Sequence, residues 1–152
     1  MNTDAIIAAA SVLAGAGMTG LIQYMTAVRA ARAERADWHR QDVGEAAVEL
    51  AGALVDHRRH QYLKLQTLRE GGDPAAGRQE RWEARSAVTR AMARLEVVAP
   101  REPELLHAGR EAVAATFALG DSSEDVLDEA REATLRAHDE LLAAAVRATG
   151  GA

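Results

Sequence analysis

The sequence predicts an all-α protein in which a single N-terminal transmembrane helix continues into an antiparallel bundle of about four helices. Three observations support this prediction. Residues 5–28, AIIAAASVLAGAGMTGLIQYMTAV, contain no charged side chain. The rest of the chain places apolar residues at alternating steps of three and four, the spacing of amphipathic helices. With one Phe, two Trp and two Tyr, the core must be built from Ala, Leu and Val, which favours helices over sheets.

The uncharged segment is long enough to cross a membrane. As a helix it extends about 36 Å, and a bilayer core of about 30 Å needs about 20 apolar residues. Four arginines follow it: Arg29, Arg32, Arg35 and Arg40. The positive-inside rule places this side in the cytoplasm. We therefore expect a single-pass inner-membrane protein with its N-terminus outside, an anchor at residues 1–28, an Arg-rich connector at 29–40 and a cytoplasmic bundle at 41–150.

Other interpretations of these features stay open. The residues AGA at 14–16 imitate a signal-peptide cleavage site, although no positive charge precedes the apolar stretch. The segment could also pack as an Ala-rich helix inside a soluble bundle. The four arginines set the topology in the first interpretation, and they could also hold anionic lipid headgroups.

Small residues recur on one face of the predicted anchor. Ser11, Gly15 and Thr19 stand at every fourth position, and Ala16 with Gly20 adds a second pair. Small residues at this spacing let two membrane helices approach closely. The pattern predicts self-association, and therefore a homo-oligomer.

The predicted helices follow one another between clear loop signals. The first runs on from the anchor and ends at the loop REGGDPAAG, residues 69–77. A second spans about 78–98, and a third about 103–119, between prolines and a glycine. The acidic run DSSEDVLDEA starts a fourth that ends near 149.

Each helix carries an apolar face that we expect to be buried. On the first helix this face comprises Val43, Ala47, Leu50, Leu54, His57, Gln61, Leu65 and Leu68. On the second it comprises Trp82, Ala84, Val88, Ala91, Met92 and Leu95. Leu106, Val113 and Phe117 form it on the third helix. On the fourth it comprises Leu127, Ala130, Thr134, Ala137, Leu141 and Ala145. Ala-rich faces make a thin core, so we expect stability to depend on oligomerisation.

His57 and His60 are the residues closest to a metal site. Their spacing of three lets both rings face one ion, with a carboxylate completing the ligand set. Arg58 and Arg59 lie between them and would repel a cation, which favours a structural polar belt. No phosphate loop, catalytic triad or nucleophile elbow is present, so we expect neither a cofactor nor an enzyme. The absence of Cys excludes disulfides and thiolate metal sites, and the net charge of −5 argues against nucleic-acid binding.

The order of segments supports a family resemblance. The uncharged span is followed by AVRAARAERADWHRQ, LVDHRRHQYLKL, RQERWEARSAVTRAMARL and EDVLDEAREATLRAHDELLAAA. In this pattern the chain resembles a group of small actinobacterial proteins that are labelled KilB-like after a plasmid spread protein of Streptomyces. The likeness covers nearly the full chain. The resemblance implies a membrane-anchored accessory factor in intercellular plasmid spread, and it carries over no catalytic residues.

Two functional hypotheses follow. The first is a non-enzymatic scaffold whose membrane helix holds a cytoplasmic bundle that binds itself or an unknown protein partner. The second is a soluble or peripheral helical assembly in which His57 and His60 sense metal ions or protons. The charged flank of the uncharged segment favours the first hypothesis.

Overall fold

The described residues form four α-helices. The computed structural model describes residues 3–150 except 74, 121 and 123–125, and it describes side chains from Met25 onward. The helices are α1 (Thr3–Arg69), α2 (Arg78–Val98), α3 (Pro103–Leu119) and α4 (Leu127–Ala148). This confirms the predicted all-α fold with four helices. The chain divides into two compact units, residues 1–38 and 39–152, and the second unit contains the bundle.

The N-terminal membrane span stays a prediction. The helix α1 begins at Thr3 and continues through residues 5–28 to Arg69. The side chains before Met25 lie outside the described part, and they include the small residues Ser11, Gly15, Ala16, Thr19 and Gly20. In the part that is described, no helical segment combines the length and the apolar character needed to span a bilayer.

The end of α1 is set by paired glycines. The N–H of Gly71 donates to the carbonyl of Leu68 at 3.1 Å, and that of Gly72 donates to the carbonyl of Thr67 at 2.9 Å. This pair of bonds is a Schellman motif, which needs a left-handed residue after the helix. Gly71 supplies it with φ of 73°. The predicted loop therefore begins where the chain can leave the helix without losing its terminal hydrogen bonds.

Consecutive bundle helices run antiparallel. The Thr134 hydroxyl of α4 donates to the carbonyl of Ala115 on α3 at 3.3 Å. Further along α4, the Arg147 guanidinium lies 3.7 Å from the Glu104 carboxylate near the start of α3. Residue numbers thus rise along α4 in the direction in which they fall along α3. The two helices are antiparallel, as the short connection between them requires.

Small residues bring the helices close together. Eight of the sixteen buried core residues are alanines: Ala46, Ala47, Ala51, Ala91, Ala99, Ala112, Ala144 and Ala145. At Gly109 on α3, an added Cβ would lie 3.2 Å from the Met92 sulfur and 3.3 Å from a Leu95 methyl group. The core is therefore thin, as its composition predicts.

The predicted buried faces are confirmed on α1 from Val43 to Gln61, whereas Leu68 is exposed. On α2 the inclusion of Trp82 was wrong, because its side chain is 68 % exposed. Trp82 precedes the buried Ala84 by two positions, which turns it about 200° away from the core.

On α3 the predicted face was displaced by one residue. The buried residues are Leu105, Gly109, Ala112, Thr116 and Leu119. The predicted Leu106, Val113 and Phe117 are half-buried beside them. Between the buried Leu105 and Leu119, the small residues Gly109, Ala112 and Thr116 occupy the middle of the contact, where the neighbouring helices approach closely.

Candidate functional site

The structure places the two predicted metal candidates on different cavity walls. His57 is 1 % exposed and lines a cavity between α1, α2 and α3, whereas the half-buried His60 lines a second cavity that also includes Glu80. Among the described residues, no group of three or more His, Cys, Asp or Glu is arranged to hold a metal ion. The pair therefore offers no ligand set in this part of the chain.

His57 belongs instead to a polar and aromatic cluster. Gln61, one turn further along α1, places its amide nitrogen 3.2 Å from Nε2 of the ring. The Phe117 ring meets the imidazole edge to face at 5.2 Å between centroids. The Arg85 guanidinium lies over the Phe117 ring, 4.1 Å from its centroid. Residues from three helices thus hold the imidazole in one position.

These surroundings favour the neutral form of His57. Burial lowers its pKa below 6.5, and the positive charges of Arg85 and His60 lower it further. The Nε2 nitrogen of the ring pairs with the Gln61 side-chain amide, and Nδ1 is the other ring nitrogen. That Nδ1 is buried and has no hydrogen-bond partner among the described residues. The cluster therefore contains one buried ring nitrogen without a hydrogen-bond partner among the described residues.

The cavity beside His57 is strongly basic, and we name it the cationic cavity. Its volume is about 520 Å³, and four positive side chains line it: Lys64, Arg78, Arg81 and Arg85. None of the described residues that line it is Asp or Glu. The whole protein has a net charge of −5, so this is a local concentration of positive charge.

Gly120 forms the wall of the cationic cavity at the end of α3. A Cβ at this position would lie 2.9 Å from the amide carbon of Gln61, so a larger residue would displace the end of that side chain. The Lys64 ammonium donates to the carbonyl of Gly120 at 3.4 Å. The end of α3 therefore orients two polar side chains of α1 toward the cavity.

Sequence reasoning did not identify this cavity. Arg78, Arg81 and Arg85 follow one another at steps of three and four, which places them on one face of α2. This spacing was the available signal, but the sequence gives no sign that Lys64 meets them. Arg58, which lies between the two histidines in the sequence, instead acts on His138: burial lowers the pKa of that imidazole, and the positive charge of Arg58 lowers it further.

A second surface feature runs along α1 and α4. Five exposed apolar residues form it, and we name it the α1/α4 face: Val48, Val55, Leu135, Leu142 and Val146. Val48 and Thr149, which lies seven residues after Leu142, line one groove of about 670 Å³. The Arg131 guanidinium lies 5.8 Å from the centroid of the Tyr62 ring. Tyr62 follows Val55 by seven residues on α1, and Arg131 precedes Leu135 by one turn on α4. Both apolar rows therefore follow the line where α1 meets α4.

The arginines of the predicted connector are exposed. Arg29, Arg32 and Arg35 belong to the first compact unit, and Arg40 belongs to the second. Arg40 lines the groove beside Val48. Their predicted role as topology determinants or lipid contacts stays a prediction.

Comparison with known proteins agrees with the segment pattern of the sequence. Residues 44–149 match the model of the family described as KilB plasmid transfer protein. Protein KilB of Streptomyces lividans is 34% identical over 148 residues, which cover 95% of this chain and 97% of the relative. No solved structure matches the chain significantly.

Proposed function

The chain belongs to the KilB plasmid transfer protein family, and from this premise we propose that it is a non-enzymatic, membrane-anchored scaffold that acts in plasmid spread. Its bundle associates with a second copy of itself, or with a partner protein, through the α1/α4 face. The observation that carries this proposal is the exposure of that face.

The α1/α4 face has the character of an interaction surface. Val48, Val55 and Val146 are 67 %, 44 % and 53 % exposed although they lie beside a core rich in alanine. These apolar residues follow two adjacent helices, and apolar residues grouped in this way mark association sites more often than scattered residues do. Two copies that face each other along these residues would build a second helix–helix core.

The proposed anchor rests on the sequence of the N-terminus. Residues 5–28 carry no charge and are followed by Arg29, Arg32 and Arg35. This order supports insertion with the bundle in the cytoplasm. Membrane insertion would concentrate the bundles in two dimensions, which would strengthen association through a face of moderate size.

The association is tested with the full-length protein in mild detergent. Light scattering after size-exclusion chromatography should give an oligomer for the unchanged chain and a monomer for Val55→Ser combined with Leu142→Ser. Val55 and Leu142 are 44 % and 39 % exposed in the single chain, so the two changes together should cost about 1–2 kcal/mol of its stability and leave it folded.

The matched control is Val97→Ser, because Val97 is 79 % exposed on α2 and lies outside the α1/α4 face. This variant should keep the oligomer. Three results together would contradict the proposal. They are a monomeric full-length chain, no protein captured by crosslinking in its host, and normal plasmid transfer after the Val55/Leu142 change. Carbonate washing of membranes and protease treatment of spheroplasts test the anchor separately with a C-terminal tag.

A further inference from the structure

Charged residues of opposite sign border the α1/α4 face. Arg59 on α1 and Asp139 on α4 each stand one turn after an apolar residue of that face, and both are exposed. Each also stands five positions after a buried residue of its own helix, Leu54 or Thr134. Since an α-helix advances about 100° per residue, this step turns both side chains about 140° away from the core. The outward side of α1 therefore carries a cation where that of α4 carries an anion.

Glu132 extends the negative charge along α4. It precedes Asp139 by two turns, and its side chain is 72 % exposed although its carboxylate lies 3.4 Å from the Arg136 guanidinium. These two acidic residues form a row on the outward side of α4.

The acidic residue of α1 nearest to Arg59 in the sequence belongs to another side of the helix. Asp56 follows Glu49 by two turns, and Glu49 forms an ion pair with Arg94 of α2. Residues two turns apart share a side of a helix, so Asp56 lies toward α2. On the side that borders the α1/α4 face, Arg59 is thus the charge that a docking surface would meet.

Contacts between α1 and α4 fix the level of these charges along the bundle. Two pairs of neighbours join the helices: Tyr62 with Arg131, and Gly44 with Thr149. Because the helices run antiparallel, Arg59 stands three residues from the first of these contacts, at the level of position 134. At about 1.5 Å per residue, that level lies about 3 Å from Glu132 and about 7 Å from Asp139 along the helix axis. Arg59 thus stands between the two acidic residues in height.

A second copy of the chain complements this arrangement. A two-fold axis parallel to the helices places α1 of one copy on α4 of the other and keeps every residue at its own level. Arg59 of each copy then faces the acidic row of the other, so the favourable contact forms twice. An axis perpendicular to the helices would instead stack α4 on α4 and bring the two acidic rows together.

We propose that the α1/α4 face pairs with a second copy in this parallel arrangement, with Arg59 of each copy against Glu132 and Asp139 of the other. This inference rests on the proposed function, and it names the partner of the face. The proposed anchor favours the same axis, because both chains then enter their bundles from one side of the membrane. Apolar contacts supply the affinity, and the charges select the partner and the arrangement.

The test exchanges the charges between two chains. One full-length chain carries Arg59→Glu, and the other carries Glu132→Arg with Asp139→Arg. Each is prepared in mild detergent with a donor or an acceptor fluorescent protein at its C-terminus, and energy transfer measures the Kd of association. Either chain alone places like charges in both contacts, so its Kd should rise about tenfold or more.

Mixing the two changed chains should restore association. In the mixed pair both contacts again join opposite charges, so its Kd should return to within about threefold of that of the unchanged chain. This recovery also verifies that both changed chains are folded. The control Arg90→Glu reverses a charge at an exposed position of α2 outside the α1/α4 face and should change Kd less than about twofold.

The outcomes separate this inference from the proposed function. Changed chains that associate with themselves as tightly as the unchanged chain, or a mixture that does not recover, overturn the inference. Loss of association after Val55→Ser with Leu142→Ser would still support the face as the site of association. A chain that stays monomeric also overturns the inference, and the crosslinking and plasmid-transfer measurements then decide the proposed function separately.

Discussion

Gly109 of α3 and Leu50 of α1 are predicted to be energetically coupled across the core. A Cβ at position 109 would lie 3.4 Å from a Leu50 methyl group, 3.2 Å from the Met92 sulfur and 3.3 Å from a Leu95 methyl group. Gly109→Ala gains about 1 kcal/mol of helix propensity, but crowding in a packed core costs about 1–3 kcal/mol. We therefore expect a net loss of up to about 2 kcal/mol.

The effect should change sign when Leu50 is shortened. Leu50→Ala alone should cost about 2.7–5 kcal/mol, since its side chain is fully buried. In that background the neighbours of position 109 can relax into the space that Leu50 leaves, so Gly109→Ala should stabilise the protein by about 1 kcal/mol. The double-mutant cycle should give a favourable coupling of about 1–3 kcal/mol.

Urea unfolding followed by circular dichroism measures all four proteins of this cycle in the same detergent. Gly52→Ala serves as the control, because a Cβ there meets nothing within 4 Å and its gain should be the same with or without Leu50. Additivity of Gly109→Ala and Leu50→Ala within about 0.5 kcal/mol would refute the packing described for this part of the core.

Two further predictions concern pH and the end of α1. Burial lowers the pKa of both His57 and His138, so the unfolded chain binds more protons than the folded one as pH falls through 6.5. The free energy of unfolding should therefore fall between pH 7.5 and 5.5, and His57→Gln should reduce this slope; an unchanged slope would contradict the assigned burial. Gly71→Ala should cost about 1 kcal/mol in urea unfolding, because φ at this position is 73°, whereas Gly52→Ala should stabilise.

The helix boundaries were largely predictable because local residues determine them. The paired glycines after Arg69 and the residues Pro100, Pro103 and Gly120 interrupt the helical pattern, so α2 and α3 have the predicted limits. The start of α4 was less well predicted. The Ser122 hydroxyl donates to the carbonyl of Ala118 at 2.9 Å, which completes the end of α3, and α4 begins at Leu127.

The candidate sites were less predictable because they depend on contacts between helices. The basic face of α2 can be read from its spacing, but Lys64 reaches the same cavity only because α1 and α2 pack side by side. The two histidines show the opposite case, in which neighbours in the sequence line different cavities. His57 and His60 lie one turn apart in sequence, yet their positions on the helix differ enough to place them on separate walls.

The alanine-rich core has a consequence for the response of the bundle to temperature. Alanine loses no side-chain rotamer freedom on burial, so ordering this core costs little conformational entropy. It also hides little apolar surface per residue, and the heat capacity change of unfolding scales with that surface. The free energy of unfolding of the bundle should therefore vary slowly with temperature. Its dependence on temperature should be a broad, shallow curve that falls no more steeply on cooling than on moderate heating.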